Sequence, residues 1–146
     1  MSGKGSDMLE ALAVTAGYDD RPVVREVNLS VARGQFLGLV GPNGSGKSTL
    51  IRSLSRVLPP IRGQVLLDSV DIYRMSAREL ARRLAVVAQE NPVHFDFSVR
   101  EVVLMGRAPH LGRFGLERVQ DYAIAEECLE LTHPSPRSRA ANASAA

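Results

Sequence analysis

The pattern of apolar and polar positions predicts short strands and helices in alternation. Residues 9–15 (LEALAVT) read as a strand ending at a Gly17-Tyr18-Asp19-Asp20 turn. In residues 22–31, Val24, Val27, Leu29 and Val31 alternate loosely with polar residues, which predicts one or two further strands. After a turn at Gly34, Phe36-Leu37-Gly38-Leu39-Val40 is apolar without alternation, the pattern of a strand covered on both faces in a parallel sheet. Residues 41–46 form a glycine-rich loop, and 47–56 (KSTLIRSLSR) a helix with Leu50, Ile51 and Leu54 on one side. Pro59-Pro60 stops that helix.

Beyond it, residues 63–67 (GQVLL) predict a strand, and 76–84 a helix with Ser76 and Glu79 at capping-box spacing. A short strand at 85–88 ends at Gln89, followed by a helix at 99–107, a Gly/Pro/His loop at 108–115 and a helix at 117–131. Strands early and alternating elements later indicate an α/β domain with an antiparallel β portion. Residues 1–8 and 132–146 carry too little apolar surface to join a core, and are expected to be disordered.

Composition narrows the function. The chain has 146 residues, enough for one domain with a core, and 45% apolar and 23% charged residues are ordinary for a globular protein. A net charge of +2 gives no argument for nucleic acid or for an anionic membrane surface. One cysteine, Cys128, excludes an internal disulfide and fits a reducing compartment. No apolar run approaches the roughly 20 residues that span a bilayer, so a cytoplasmic chain is expected, reaching a membrane only through a partner. The basic residues are 16 Arg and only two Lys, Lys4 and Lys47, which makes Lys47 stand out.

Lys47 belongs to the run Gly41-Pro42-Asn43-Gly44-Ser45-Gly46-Lys47-Ser48, which fits G-x-x-x-x-G-K-[ST] and is followed by Thr49. Each part has a reason. The glycines let backbone N–H groups approach phosphate oxygens with no Cβ in the way, and the next helix aims its own N–H groups and dipole at the same place. Lys47 then reaches the β- and γ-phosphates, and the Ser48 hydroxyl ligates Mg²⁺. A cation in the first turn of a helix is otherwise disfavoured by the dipole.

The segment 41–50, GPNGSGKSTL, resembles the Walker A of ABC-type ATPases, the ATP-binding subunits of ABC transporters. The resemblance implies a P-loop NTPase core that binds ATP and Mg²⁺, with Tyr18 stacking on adenine. Gln89 resembles the Q-loop glutamine, which senses Mg²⁺ or the attacking water. Residues 63–72 (GQVLLDSVDI) resemble the segment between the two and are assigned no chemistry. Residues 99–115, VREVVLMGRAPHLGRFG, are similar to the helical subdomain of importers for iron-siderophores, haem and cobalamin. That similarity implies permease partners, a homodimer in the full-length family, and a location at the inner face of the membrane.

The resemblance runs over residues 9–131. No signature motif, Walker B aspartate, catalytic glutamate or switch histidine follows Gln89, so this fold is read as truncated in or after its helical subdomain. Of a shifted reading frame, a premature end and a deliberate cut, the shifted frame is favoured for 132–146. Such a chain is expected to hold nucleotide but not to turn it over. Other residues read plainly. His94, His110 and His133 lack metal-ligand spacing, Cys128 reads as a small core residue, and Glu126, Glu127 and Glu130 as a solvated face. Arg74, Arg78, Arg82 and Arg83 read as a helix surface.

Overall fold

The computed structural model describes residues 7–87, 89, 97–112 and 115–132. The chain divides into two compact units, residues 1–86 and 87–146.

The first unit is built on a four-stranded antiparallel sheet, in the order β2-β1-β3-β4. Its strands are β1 (Asp7–Tyr18), β2 (Arg21–Ala32), β3 (Arg62–Leu67) and β4 (Val70–Asp71). Two helices belong with it, α1 (Lys47–Leu54) and α2 (Ala77–Ala81). β1 and β2 form a hairpin whose closing pair is Tyr18 and Arg21. Its two turn residues, Asp19 and Asp20, have φ of 48° and 57°, the doubly left-handed geometry that matches the twist of paired strands. The same device joins β3 to β4 through Asp68 (φ 48°) and Ser69 (φ 65°). Gly17 and Tyr18, expected in the turn, are thus the end of the strand. A Cβ at Gly17 would lie 1.9 Å from the Arg21 carbonyl oxygen, so that position has no room for a side chain.

A bulge in β1 sets which side chains reach the core. Ala13 takes a φ of 47°, and the pairing shifts between Ala11 and Val14. One extra residue inverts the alternation. Ala11, Val14 and Ala16 therefore all become fully buried, although an even strand would send Ala11 to the opposite face from the other two. They meet Val24, Leu50, Val65, Leu67, Ile72, Met75 and Leu80 in one apolar cluster. Ser76 caps α2 by accepting a hydrogen bond from the Glu79 N–H at 3.1 Å, as the spacing predicts. Arg74, Arg78, Arg82 and Arg83 are exposed around it.

Two expected strands are not formed. Residues 36–40 lie in irregular backbone, with Phe36 95% and Val40 97% exposed. Leu37 and Leu39 instead line an open apolar cleft of about 350 Å³ with Leu29, Val31, Ile51 and Leu54. A parallel central strand exists only when neighbours take its N–H and C=O groups on both sides. No described residue pairs with 36–40. Residues 84–87 are likewise irregular, and Ala88 lies outside the described residues.

The second unit contains α3 (Val99–Met105), a 3₁₀ turn (Ala108–His110) and α4 (Val119–Thr132). Ser98 and Glu101 form a reciprocal capping box at the start of α3. Asp121 ties the start of α4 to the segment that follows α3. Its Oδ1 accepts from Arg107 Nε at 2.9 Å and its Oδ2 from the Arg118 N–H at 3.0 Å. The Arg118 N–H, then Arg107, hold the Asp121 carboxyl below the ordinary carboxylate range. Arg100 bridges to Glu126 at 2.7 Å and lies 5.8 Å from the centre of the Tyr122 ring.

Only Asp121 and Ala125 of α4 are buried, and Cys128 is exposed, which corrects its reading as a core residue. The side-chain contacts onto α4 fall at Asp121, Tyr122 and Glu126. Glu126, Glu127 and Glu130 are exposed. The expectations for residues 1–6 and 133–146, and for His94 and His133, fall outside the described residues. β1 already includes Asp7 and Met8, and α4 includes Thr132.

Candidate functional site

The glycine-rich loop closes on itself through Lys47. Lys47 Nζ donates to the carbonyl oxygens of Gly41 at 2.8 Å and Pro42 at 2.7 Å, and to Ser45 Oγ at 3.4 Å. All three acceptors are neutral, and the ammonium has no carboxylate partner among the described residues. A ring of neutral dipoles holds the side chain over the loop without cancelling its charge.

Gly46 makes the entry to α1 possible. It occupies the N-cap with φ 90° and ψ 6°, a left-handed conformation natural to glycine. A Cβ there would also lie 2.5 Å from Val24 Cγ1, so β2 passes directly against the end of the loop. No side chain caps α1 and no acidic residue sits in its first turn. Its first N–H groups are therefore free to meet an anion. Thr49, Leu50 and Ser53 anchor the helix with their buried side chains, while the Ser48 hydroxyl is exposed and unbonded among the described residues.

Tyr18 belongs to the same assembly. It is 43% exposed at the end of β1, and its hydroxyl accepts from Arg52 Nη1 at 2.8 Å. The Arg52 guanidinium, and after it the Thr49 hydroxyl, draw the Tyr18 phenol below its ordinary value. The structure thus brings Tyr18 to α1, the helix that starts at the phosphate loop. Gln89 belongs to the second unit, where it is exposed in a bend. Sequence reasoning misses Arg52. The only sign of it is a cation within KSTLIRSLSR, and nothing local says which strand that cation faces.

The arrangement fits a nucleotide with a metal ion. Gly41, Pro42, Asn43, Gly44, Ser45 and Gly46 supply a loop closed on itself, Lys47 a cation and the first turn of α1 open donors. These suit a polyphosphate, and the unbonded Ser48 hydroxyl suits a Mg²⁺ shared with it. No group of three or more His, Cys, Asp or Glu that could hold a metal occurs among the described residues. A metal here would depend on phosphate oxygens for most of its ligands.

Comparison with known proteins agrees with this geometry. The family profile described as ABC transporter matches residues 24–144. Relatives include ATP-binding proteins named for cobalamin, iron(3+)-hydroxamate, ferric enterobactin and hemin import. The cobalamin import ATP-binding protein BtuD of Halobacterium salinarum is 40% identical over 110 residues, covering 75% of this chain and 27% of that protein. The hemin import ATP-binding protein HmuV of Pseudomonas entomophila is 44% identical over 121 residues, covering 83% of this chain and 45% of its own. Among solved structures, the ATP-binding cassette MJ0796, a dimer bound to ADP and Pi, superposes with a TM-score of 0.69 at 25% identity. That match covers 89% of this chain and 59% of the cassette. The chain spans less than half the length of these two relatives, and it matches their N-terminal part. With a phosphate loop of this form on a sheet of this kind, the chain belongs to the ABC transporter family of ATP-binding proteins.

Proposed function

We propose that this chain binds Mg-ATP through residues 41–49, as the ATP-binding part of an importer for iron-siderophore, haem or cobalamin. The observation that carries the reading is Lys47, an ammonium held over a glycine loop by neutral acceptors alone, beside an uncapped helix N-terminus. In that role Lys47 meets the terminal phosphates, Ser48 and Gln89 address the metal, and Tyr18 lies under the base. Bound Mg²⁺ would screen the phosphate charge.

The wording of residues 99–115 and the names of the relatives support the importer class. The partners of the full-length protein are then membrane-spanning permease subunits and a second copy of the ATP-binding subunit. It would work at the cytoplasmic face and couple ATP hydrolysis to uptake.

For the 146 residues themselves the reading is narrower: nucleotide binding without turnover. Hydrolysis needs a second metal-side carboxylate and a group to orient water, and neither motif occurs after Gln89. The test is equilibrium binding of Mg-ATP to the parent chain and to Lys47→Ala, with phosphate release followed in parallel. Binding lost in the variant, with no release from either, is the expected result. Equal affinity in both would refute the site. Turnover by the parent that Lys47→Ala abolishes would refute the claim of no hydrolysis.

A further inference from the structure

Arg52 lies five residues beyond Lys47 on α1, and its guanidinium donates to the hydroxyl of Tyr18, 34 residues earlier in the chain. Among the described residues the guanidinium has no carboxylate partner, and this is its one side-chain hydrogen bond. Resting on the nucleotide reading above, we propose that Arg52 is a positioning residue: it fixes the Tyr18 ring to the helix that carries the phosphate loop.

The physical case begins with the freedom of Tyr18. The residue ends β1, it is 43% exposed, and it lies outside the apolar core cluster. An unfixed ring can turn about two side-chain bonds, and stacking a base on it would cost that freedom. A bond from a charged donor removes the cost beforehand, and charged hydrogen bonds are the stronger kind. The lowered phenol fits this, since Arg52 and Thr49, both on α1, are its causes. The anchor is on the right element. Lys47 and Arg52 are a little over one helical turn apart on α1, so a base on Tyr18 and phosphates at Lys47 would refer to the same helix.

The test uses the full chain with Arg52→Met, which keeps the aliphatic stem, and Arg52→Lys, each also combined with Tyr18→Phe. Mg-ATP and inorganic tripolyphosphate are titrated separately, so the base contribution is read as a ratio of affinities. Arg52→Met should lower the ATP-to-tripolyphosphate ratio about three- to tenfold, a discounted value for a partly exposed charged bond. Arg52→Lys should recover part of it, because an ammonium can still donate. In the Tyr18→Phe background Arg52→Met should add nothing. The Tyr18 phenol, followed by its ring-carbon resonance, should titrate at higher pH in Arg52→Met than in the parent.

An unchanged ratio, or the same loss without the Tyr18 hydroxyl, overturns the proposal. So does a phenol titration indifferent to Arg52. A parent chain that binds neither ligand refutes the nucleotide reading and this inference with it, whereas binding of both with a ratio insensitive to Arg52 refutes this inference alone.

Discussion

Replacing Gly46 with alanine would add one methyl group at the point where β2 meets the phosphate loop. Two costs are separable. The backbone at φ 90° is left-handed, which disfavours an L side chain by about 1–2 kcal/mol. The new Cβ would lie 2.5 Å from Val24 Cγ1 and 3.3 Å from Val23 Cγ1, an overpacking that costs about 1–3 kcal/mol. Val24 is buried in the core and cannot swing away freely. The sum is about 2–5 kcal/mol in stability, unless the loop moves off β2 and gives up the shape that holds Lys47.

Two other glycines isolate the terms. Gly44 has φ 81° and open space for 4 Å around the place a methyl group would take, so Gly44→Ala should show the backbone cost alone, about 1–2 kcal/mol. Gly38 has neither feature, and Gly38→Ala should be neutral or stabilising by up to about 1 kcal/mol through the unfolded chain. Urea unfolding gives the stabilities, and ATP titration gives the state of the loop. Combining Gly46→Ala with Val24→Ala should give a smaller loss than the two added together, because the second change makes room for the first. If Gly46→Ala is no more damaging than Gly44→Ala, or if the double variant is strictly additive, the close approach of β2 to the loop is wrong.

Two further outcomes test the second unit. The Asp121 carboxyl is held below its unfolded value by the Arg118 N–H and by Arg107, so its contribution is present above the ordinary carboxylate pKa and is lost as pH falls through the lowered one. Thermal melts should therefore show the parent above Asp121→Asn at neutral pH and the two converging in acid; a gap that persists unchanged in acid would exclude the charge as its cause. Cys128, being exposed, should react with a maleimide in the folded chain about as fast as in urea; strong protection from the reagent would return it to a core.

Some of this protein is local enough to follow from its sequence. The spacing of Gly41, Gly46, Lys47 and Ser48 specifies a loop, a helix start and a cation together, because all three lie within one short stretch of backbone. Ser76 with Glu79 marks a helix start for the same reason: donor and acceptor are three residues apart. The four expected helices form, and so do the first strands, with boundaries moved by a few residues.

Other features depend on contacts between distant residues. The β1 bulge at Ala13 lies opposite Gly63, where a Cβ would come within 2.4 Å of the Ala13 carbonyl oxygen, and an alternation count in β1 alone cannot include that neighbour. Residues 36–40 have the composition of a buried strand, but a strand is a property of a pair, and no described residue pairs with them. Cys128 sits among apolar residues on α4, yet it is exposed, because burial is set by what packs against a helix and not by its own sequence. The bond from Arg52 to Tyr18 and the seat of Gly46 against Val24 likewise join segments that only the folded sheet brings together. The sequence by itself determined the phosphate loop, where spacing along the backbone is the whole of the geometry. The tertiary structure alone decided what stands against that loop, since those distances are set by the pairing of β1 with β2 and the packing of α1 on them.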